Sequence, residues 1–296
     1  MRGKKYAAAC AAMFHLLLAA PIATAHESHH HHAEQMQPPT TPAEIIELAR
    51  YAQSEHRFDE ALALLDDALT LAPRVDEAWL MAASIHLLRG AVDSASAACR
   101  KLTNLPSLAI MTCHARVHTA RGYPDAALRL VSAALQGSTR ADSEWLAWAN
   151  SAAGDAARPA NNALAIDYYR RSLSKANNEQ VRAALVDVLL QEGRLSEADE
   201  ALEQEFSSLA LQVRRLIVDR RLDRLQQESV AELDRTFKRY AAADDFTHAR
   251  EMARFYLDVL PDLHLAREFA ERNIAMQREP EDHLLLVRTG QSAPSS

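Results

Sequence analysis

A pattern that returns every 34 residues governs what this 296-residue chain can fold into. Stepping 34 positions on from His56, Phe58 and Ala61 lands on Gly90, Val92 and Ala95, and the same step carries Ile45 to Trp79 and Leu48 to Ala82. Within the unit, "RFDEALALLDDALTLAP" places Ala61, Leu65 and Ala68 on one helical face and ends at Pro73, where a helix stops. One such helix cannot bury its apolar face alone, so the copies must cover each other. A third copy contains Met111, Ala115, Gly122, Ala127 and Ala134. A fourth contains Trp145, Ala149, Ala165 and Tyr169, with Pro159 in a longer turn, and a fifth contains Gly193, Leu195, Ala198 and Leu202. Each copy reads as two helices. The first holds a bulky anchor and then a small residue, a glycine or polar turn follows, and the second opens on an alanine where the helices approach closely.

This pattern resembles the tetratricopeptide repeat family, on Trp79, Gly90 and Ala95 and on Ala61, Ala68 and Pro73. Ala49, Ala83, Ala115 and Ala149 stand where the family usually has glycine, a sterically mild change. The resemblance implies an all-α fold, a right-handed α-solenoid of antiparallel helix pairs. We place five repeats at 42–206, divergent helical pairs continuing the solenoid at 207–280, and a partial helix and tail at 281–296. In the divergent part, Ala249, Ala266 and Ala270 read as close-contact residues, and Pro261 and Pro280 as helix stops.

The start of the chain reads as a secretory signal peptide over residues 1–25. MRGKK is basic, residues 6–20 are apolar apart from His15, and Ala23-Thr24-Ala25 supplies small residues for cleavage. The apolar run is shorter than the roughly 20 residues a permanent span needs, so the expectation is a periplasmic or secreted product without a membrane span. Loss of Arg2, Lys4 and Lys5 makes the formal charge of −7 more negative still, which argues against nucleic acid as a ligand.

Residues 26–41 read as a disordered linker rich in histidine, then proline and threonine. His26, His29, His30, His31 and His32 can together ligate Cu, Ni or Zn, and cleavage after Ala25 would add a free amino terminus beside the His26 imidazole. A laboratory tag and a weakly binding polar tail are the alternatives. His114 and His118 share a helix face, but residue 115 is alanine where a zinc protease needs glutamate, so a packing role is expected. Cys99 and Cys113 fall on neighbouring helices of consecutive repeats. A disulfide and two buried free thiols are both compatible with that placement.

No phosphate loop, nucleophile elbow or dinucleotide fingerprint is present, so an enzyme is not expected. In the resembled family the first helix of each pair lines a concave surface that holds a peptide or a partner's helix. Carried to this chain, Arg50, Ser84, Arg116, Asn150 and Asp187 project there, with Leu80 and Leu146 a turn earlier. Two arginines over an apolar strip suit an acidic protein or peptide segment; surface ion pairs, such as Arg50 with Glu47, are the alternative. The sequence therefore points to an exported, non-catalytic adaptor that binds a protein partner, with the histidine arm as an accessory. A periplasmic metal-handling protein in which that arm is the functional element is the second reading.

Overall fold

The computed structural model describes residues 41–138, 141–204 and 206–290, and among them every regular element is a helix. Ten helices form five antiparallel pairs: α1 (Pro42–Ser54) with α2 (Phe58–Leu71), α3 (Asp76–Leu88) with α4 (Val92–Cys99), α5 (Ser107–Ala120) with α6 (Pro124–Gln136), α7 (Ser143–Ala157) with α8 (Asn162–Leu173), and α9 (Glu179–Gln191) with α10 (Leu195–Glu200). They are followed by α11 (Leu209–Arg221), α12 (Gln227–Ala242), α13 (Ala249–Asp258), α14 (Leu263–Met276) and α15 (Pro280–Gly290). The fold is an α-solenoid of helix pairs. The signal-peptide and histidine-arm assignments lie outside the described residues.

Small residues set the spacing between helices. Ala61, Ala95, Ala127, Ala165 and Ala198, which open the second helices, have no exposed surface, and Ala49, Ala83, Ala115 and Ala149 on the first helices are at most 1% exposed. Larger side chains there would hold the helices apart and leave voids around the anchors Phe58, Trp145 and Tyr169, all nearly fully buried. The same economy continues at Ala249, Ala266 and Ala270.

The turn inside four of the five pairs repeats one backbone conformation; the longer turn of the fourth pair, with Pro159, does not. Gly90, Gly122 and Gly193 have φ of 71°, 80° and 70°, and at the corresponding place in the first pair His56 adopts φ 54°. Only glycine enters this left-handed region without steric cost. Asp223, between α11 and α12, also stands at φ 54°, and aspartate tolerates that conformation better than most residues. The prolines of the divergent part do different jobs. Pro261 follows the end of α13, whereas Pro280 opens α15, where its missing N–H needs no acceptor; α14 has already stopped as Gln277 becomes extended.

Carboxylates tie the pairs together. Asp76, at the start of α3 and 1% exposed, accepts the backbone N–H groups of Thr103 and Leu105 at 3.0 Å each, fixing the loop that leads into α5. Glu179, at the start of α9, accepts from Ser207 and Ser208 at 3.1 and 2.9 Å before α11. Cys99 at the end of α4 and Cys113 in α5 are joined by a disulfide, with Cα atoms 5.8 Å apart and a separation of 14 positions in sequence. A crosslink closing a loop of this size stabilises a chain by about 3 kcal/mol through the entropy of the unfolded state.

Gly154 in α7 lets Tyr169 of α8 lie flat against the helix: a Cβ built there would sit 2.5 Å from Tyr169 Cε1. Gly154→Ala is therefore expected to cost about 1–3 kcal/mol of stability through overpacking. A denaturant titration of both proteins checks this, and an unchanged midpoint would contradict the packing described.

Candidate functional site

First helices neighbour one another along the stack, α3 with α5, α5 with α7, α9 with α11 and α11 with α13, and so form one inner row. The residues expected to project from that row have different fates. Arg50 is 5% exposed, and its guanidinium meets Glu47 at 3.3 Å and, more closely, Glu77. Leu80 is buried, Ser84, Arg116 and Leu146 are half-buried, and Asn150 turns back to donate to the Leu146 carbonyl at 2.7 Å. Asp187 is gripped from two sides: Arg214 of α11 donates to both carboxylate oxygens at 2.9 and 2.7 Å, and Arg254 of α13 donates at 2.6 Å. Burial pushes the Asp187 carboxyl up, but the two guanidinium groups outweigh it and hold the carboxyl well below the usual carboxylate range.

The Arg254 contact shows that the carboxy-terminal helices reach the inner row, and further contacts extend it. Between α14 and α15 runs a strap that starts at Gln277 and continues into the first turn of α15 as far as Glu281. Its Gln277 amide lies 3.2 Å from the His56 imidazole in the first pair. The Arg278 N–H donates to the Leu88 carbonyl at 2.7 Å in the second pair, and the strap passes so near Gly90 that a Cβ there would be 3.1 Å from Arg278 Cβ. Glu281 accepts from Arg158, after α7, at 3.2 Å. The chain thus brings its last helices against the turns of pairs one, two and four. A cleft of about 340 Å³ remains beside this junction, bounded by His56–Glu60 on one side and by Ala275 and Met276 on the other.

Two titratable groups register the closure. His56 is lowered to about 4, first by burial and then by the neighbouring charges of His248 and Arg250, so its imidazole is neutral at pH 7. Asp155 in α7 accepts from the Tyr169 hydroxyl at 2.8 Å. Its carboxyl is raised to about 6, first by burial and then by the charge of Glu281, with Glu279 adding to the rise and Tyr169 and Arg116 opposing it.

Sequence reasoning misses the strap. His56 and Gln277 are separated by 221 residues, and no local pattern connects them. The acid-rich stretch Glu279-Pro280-Glu281-Asp282, set among arginines of the inner row, is the one available signal. Asp282 itself is spent on its own unit, accepting from Asn273 at 2.6 Å and Arg250 at 2.8 Å. The described residues contain no group of three or more His, Cys, Asp or Glu placed to hold a metal ion, and His26, His29, His30, His31 and His32 lie outside them. No described helix is long and apolar enough to cross a membrane.

Because Asp155 binds its proton more tightly folded than unfolded, stability falls as pH rises from about 3.8 to about 6. Asp155→Asn, which keeps the acceptor for Tyr169, is expected to be more stable than the parent by about 3 kcal/mol at pH 8, and equal to it below about pH 4. Thermal denaturation at the two pH values checks this, and an equal gain at both would contradict it.

Comparison with known proteins agrees with this architecture. Residues 52–105 match the family model described as tetratricopeptide repeat. No curated protein matches the sequence. Among solved structures, the chain is similar to TTC0263, a thermophilic TPR protein of Thermus thermophilus, at 23% identity and a TM-score of 0.52, covering 60% of this chain and 98% of that one. It is also similar to PilW, a widely conserved type IV pilus biogenesis factor, at 20% identity and a TM-score of 0.51, covering 67% of this chain and 94% of that one. At these identities the likeness is one of fold. Residues 52–105 thus carry the tetratricopeptide repeat in sequence, and the chain shares the fold of solved TPR proteins over 60–67% of its length.

Proposed function

We propose that this protein is an exported, non-catalytic scaffold that holds an acidic segment of a protein partner against its inner row, around Arg116 and Arg158. The repeat fold is one that serves protein–protein interaction and is typically non-catalytic. The observation that carries the charge preference is the pairing of Glu281 with Arg158 beside Arg116: the inner row already holds one acid-rich segment. Charge-assisted contacts to arginine are among the stronger and more directional polar contacts available for such a segment. Arg50 contributes little, since Glu77 already neutralises it in a buried position. Export is supported by the signal-like amino terminus and by the Cys99–Cys113 disulfide, which suits an oxidising compartment.

The cluster of five histidines within seven positions favours a second element, an amino-terminal arm that takes up Cu, Ni or Zn. We treat it as accessory to the scaffold; if it were the working element, the solenoid would serve to dock it to a transporter or metalloenzyme.

Photo-cross-linking in cells from a benzoylphenylalanine at Ser84 tests the reading. The expected product joins one exported protein through an acid-rich stretch, and Arg158→Glu abolishes it. Equal cross-linking from Asp66, on an exposed face, would contradict a specific inner surface. Deleting residues 26–32 separates the two elements: the product persists if the arm is accessory and disappears if the arm is the working part.

A further inference from the structure

The strap is built unlike the rest of the molecule. Within the solenoid, neighbouring helices are joined by apolar residues with almost no exposed surface, whereas the strap reaches pairs one, two and four through single polar contacts: Gln277 to His56, the Arg278 N–H to Leu88, and Glu281 to Arg158. Glu281 is 39% exposed, and an ion pair this open to water is worth about 1 kcal/mol or less. The other two are ordinary hydrogen bonds, each worth about 1 kcal/mol net. α14 and α13, by contrast, are locked to the stack through Phe255, Met252 and Phe269, all buried. The strap's contacts with pairs one, two and four are therefore the part of this closure that can open at small cost, while the buried Leu285 and the pairing of Asp282 with Arg250 and Asn273 keep α15 on α13 and α14.

The strap's chemistry is also that of the partner segment argued above. It crosses the turns with Gln277 extended, donates the Arg278 N–H to a carbonyl at the turn, and leads into α15, whose first turn delivers the Glu281 carboxylate to Arg158. A tethered segment competes at an effective concentration of the order of millimolar, so an incoming acidic segment meets an occupied surface.

We infer that Gln277–Glu281 is a resident self-ligand of the inner surface, and that an acidic partner segment binds by displacing it. This inference rests on the scaffold reading and adds a gate to it. The partner's binding residues then mimic this junction: a short extended stretch leading into a helix whose first-turn glutamate is placed for Arg158. Displacement exposes the Leu88 carbonyl and the His56 ring, while α15 stays packed on α14.

The test compares the full chain with an Arg278→Pro/Glu281→Arg variant, which removes the donor to Leu88 and sets like charges opposite Arg158. The probe is a fluorescent peptide of residues 277–290, and two readouts are taken: hydrogen exchange over the same residues of the protein, and binding by anisotropy. Faster exchange with at least about tenfold tighter peptide binding in the variant is expected. Unchanged exchange would overturn the inference, because the strap would not be held by these contacts. Faster exchange with equal binding to both proteins would also overturn it while leaving the scaffold reading intact. Faster exchange with no binding to either would remove the scaffold reading itself. Circular dichroism establishes that the variant remains helical, and a Glu281→Gln protein, which loses the charge without repulsion, is expected to fall between the two in both readouts.

Discussion

The close approach of helices at alanine is the constraint on which this molecule depends. Ala49, Ala83, Ala115 and Ala149 on the first helices and Ala61, Ala95, Ala127, Ala165 and Ala198 at the openings of the second are at most 1% exposed, which lets the helices of a pair approach closely. Each pair hides one flank of its neighbour and exposes another, so stability accumulates along the stack rather than around a single centre. Backbone turns in the left-handed region keep the geometry constant from pair to pair, with glycine at Gly90, Gly122 and Gly193 and strained substitutes at His56 and Asp223.

A stack of this kind has two ends and an inner row, and here one end is folded toward the other. Arg254 enters the inner row at Asp187, while the strap crosses to the turns of the first pairs. The two contacts differ in strength. Asp187 is buried between two guanidinium groups, an arrangement that is costly to break because it would strand a charge, whereas the strap meets the first pairs through two single hydrogen bonds and the fourth through one half-exposed ion pair. A firm closure near α13 and a loose one at the strap follow from the same chain reversal. Asp155 lies where the two meet, and the carboxylates of Glu279 and Glu281 that raise its proton affinity arrive only with the strap.

Much of this architecture is written in local pattern. The 34-residue step from His56 to Gly90 anticipates that both adopt positive φ, and the alanine register anticipates residues with no exposed surface. A disulfide between Cys99 and Cys113 is one of two outcomes that the placement of these residues on adjacent helices allows, and it is the one the structure contains. The inner row is only partly legible. Counting one helical step past each anchor finds Arg50 and Asp187, but not that Glu77 and Arg254 close on them, since those partners come from other repeats. Asp76 and Glu179, each in the first turn of its helix, clamp the loops that lead into α5 and α11, which no local pattern announces. A loop's free N–H groups leave no mark in the sequence. Pro280 illustrates the same limit: a proline marks a boundary without saying whether a helix ends or begins there.

The account's central claim is that the last helices fold back onto the first pair, and a distance across that junction tests it most directly. Spin labels at Glu60 and Ala275 flank the cleft beside the strap; Cys99 and Cys113, already joined to each other, do not compete for the label, and the third cysteine, Cys10, is replaced by serine. Pulsed electron resonance should return one short, narrow distance. A long, broad distribution, as expected of an open superhelix whose ends never meet, would contradict the closure and everything inferred from it.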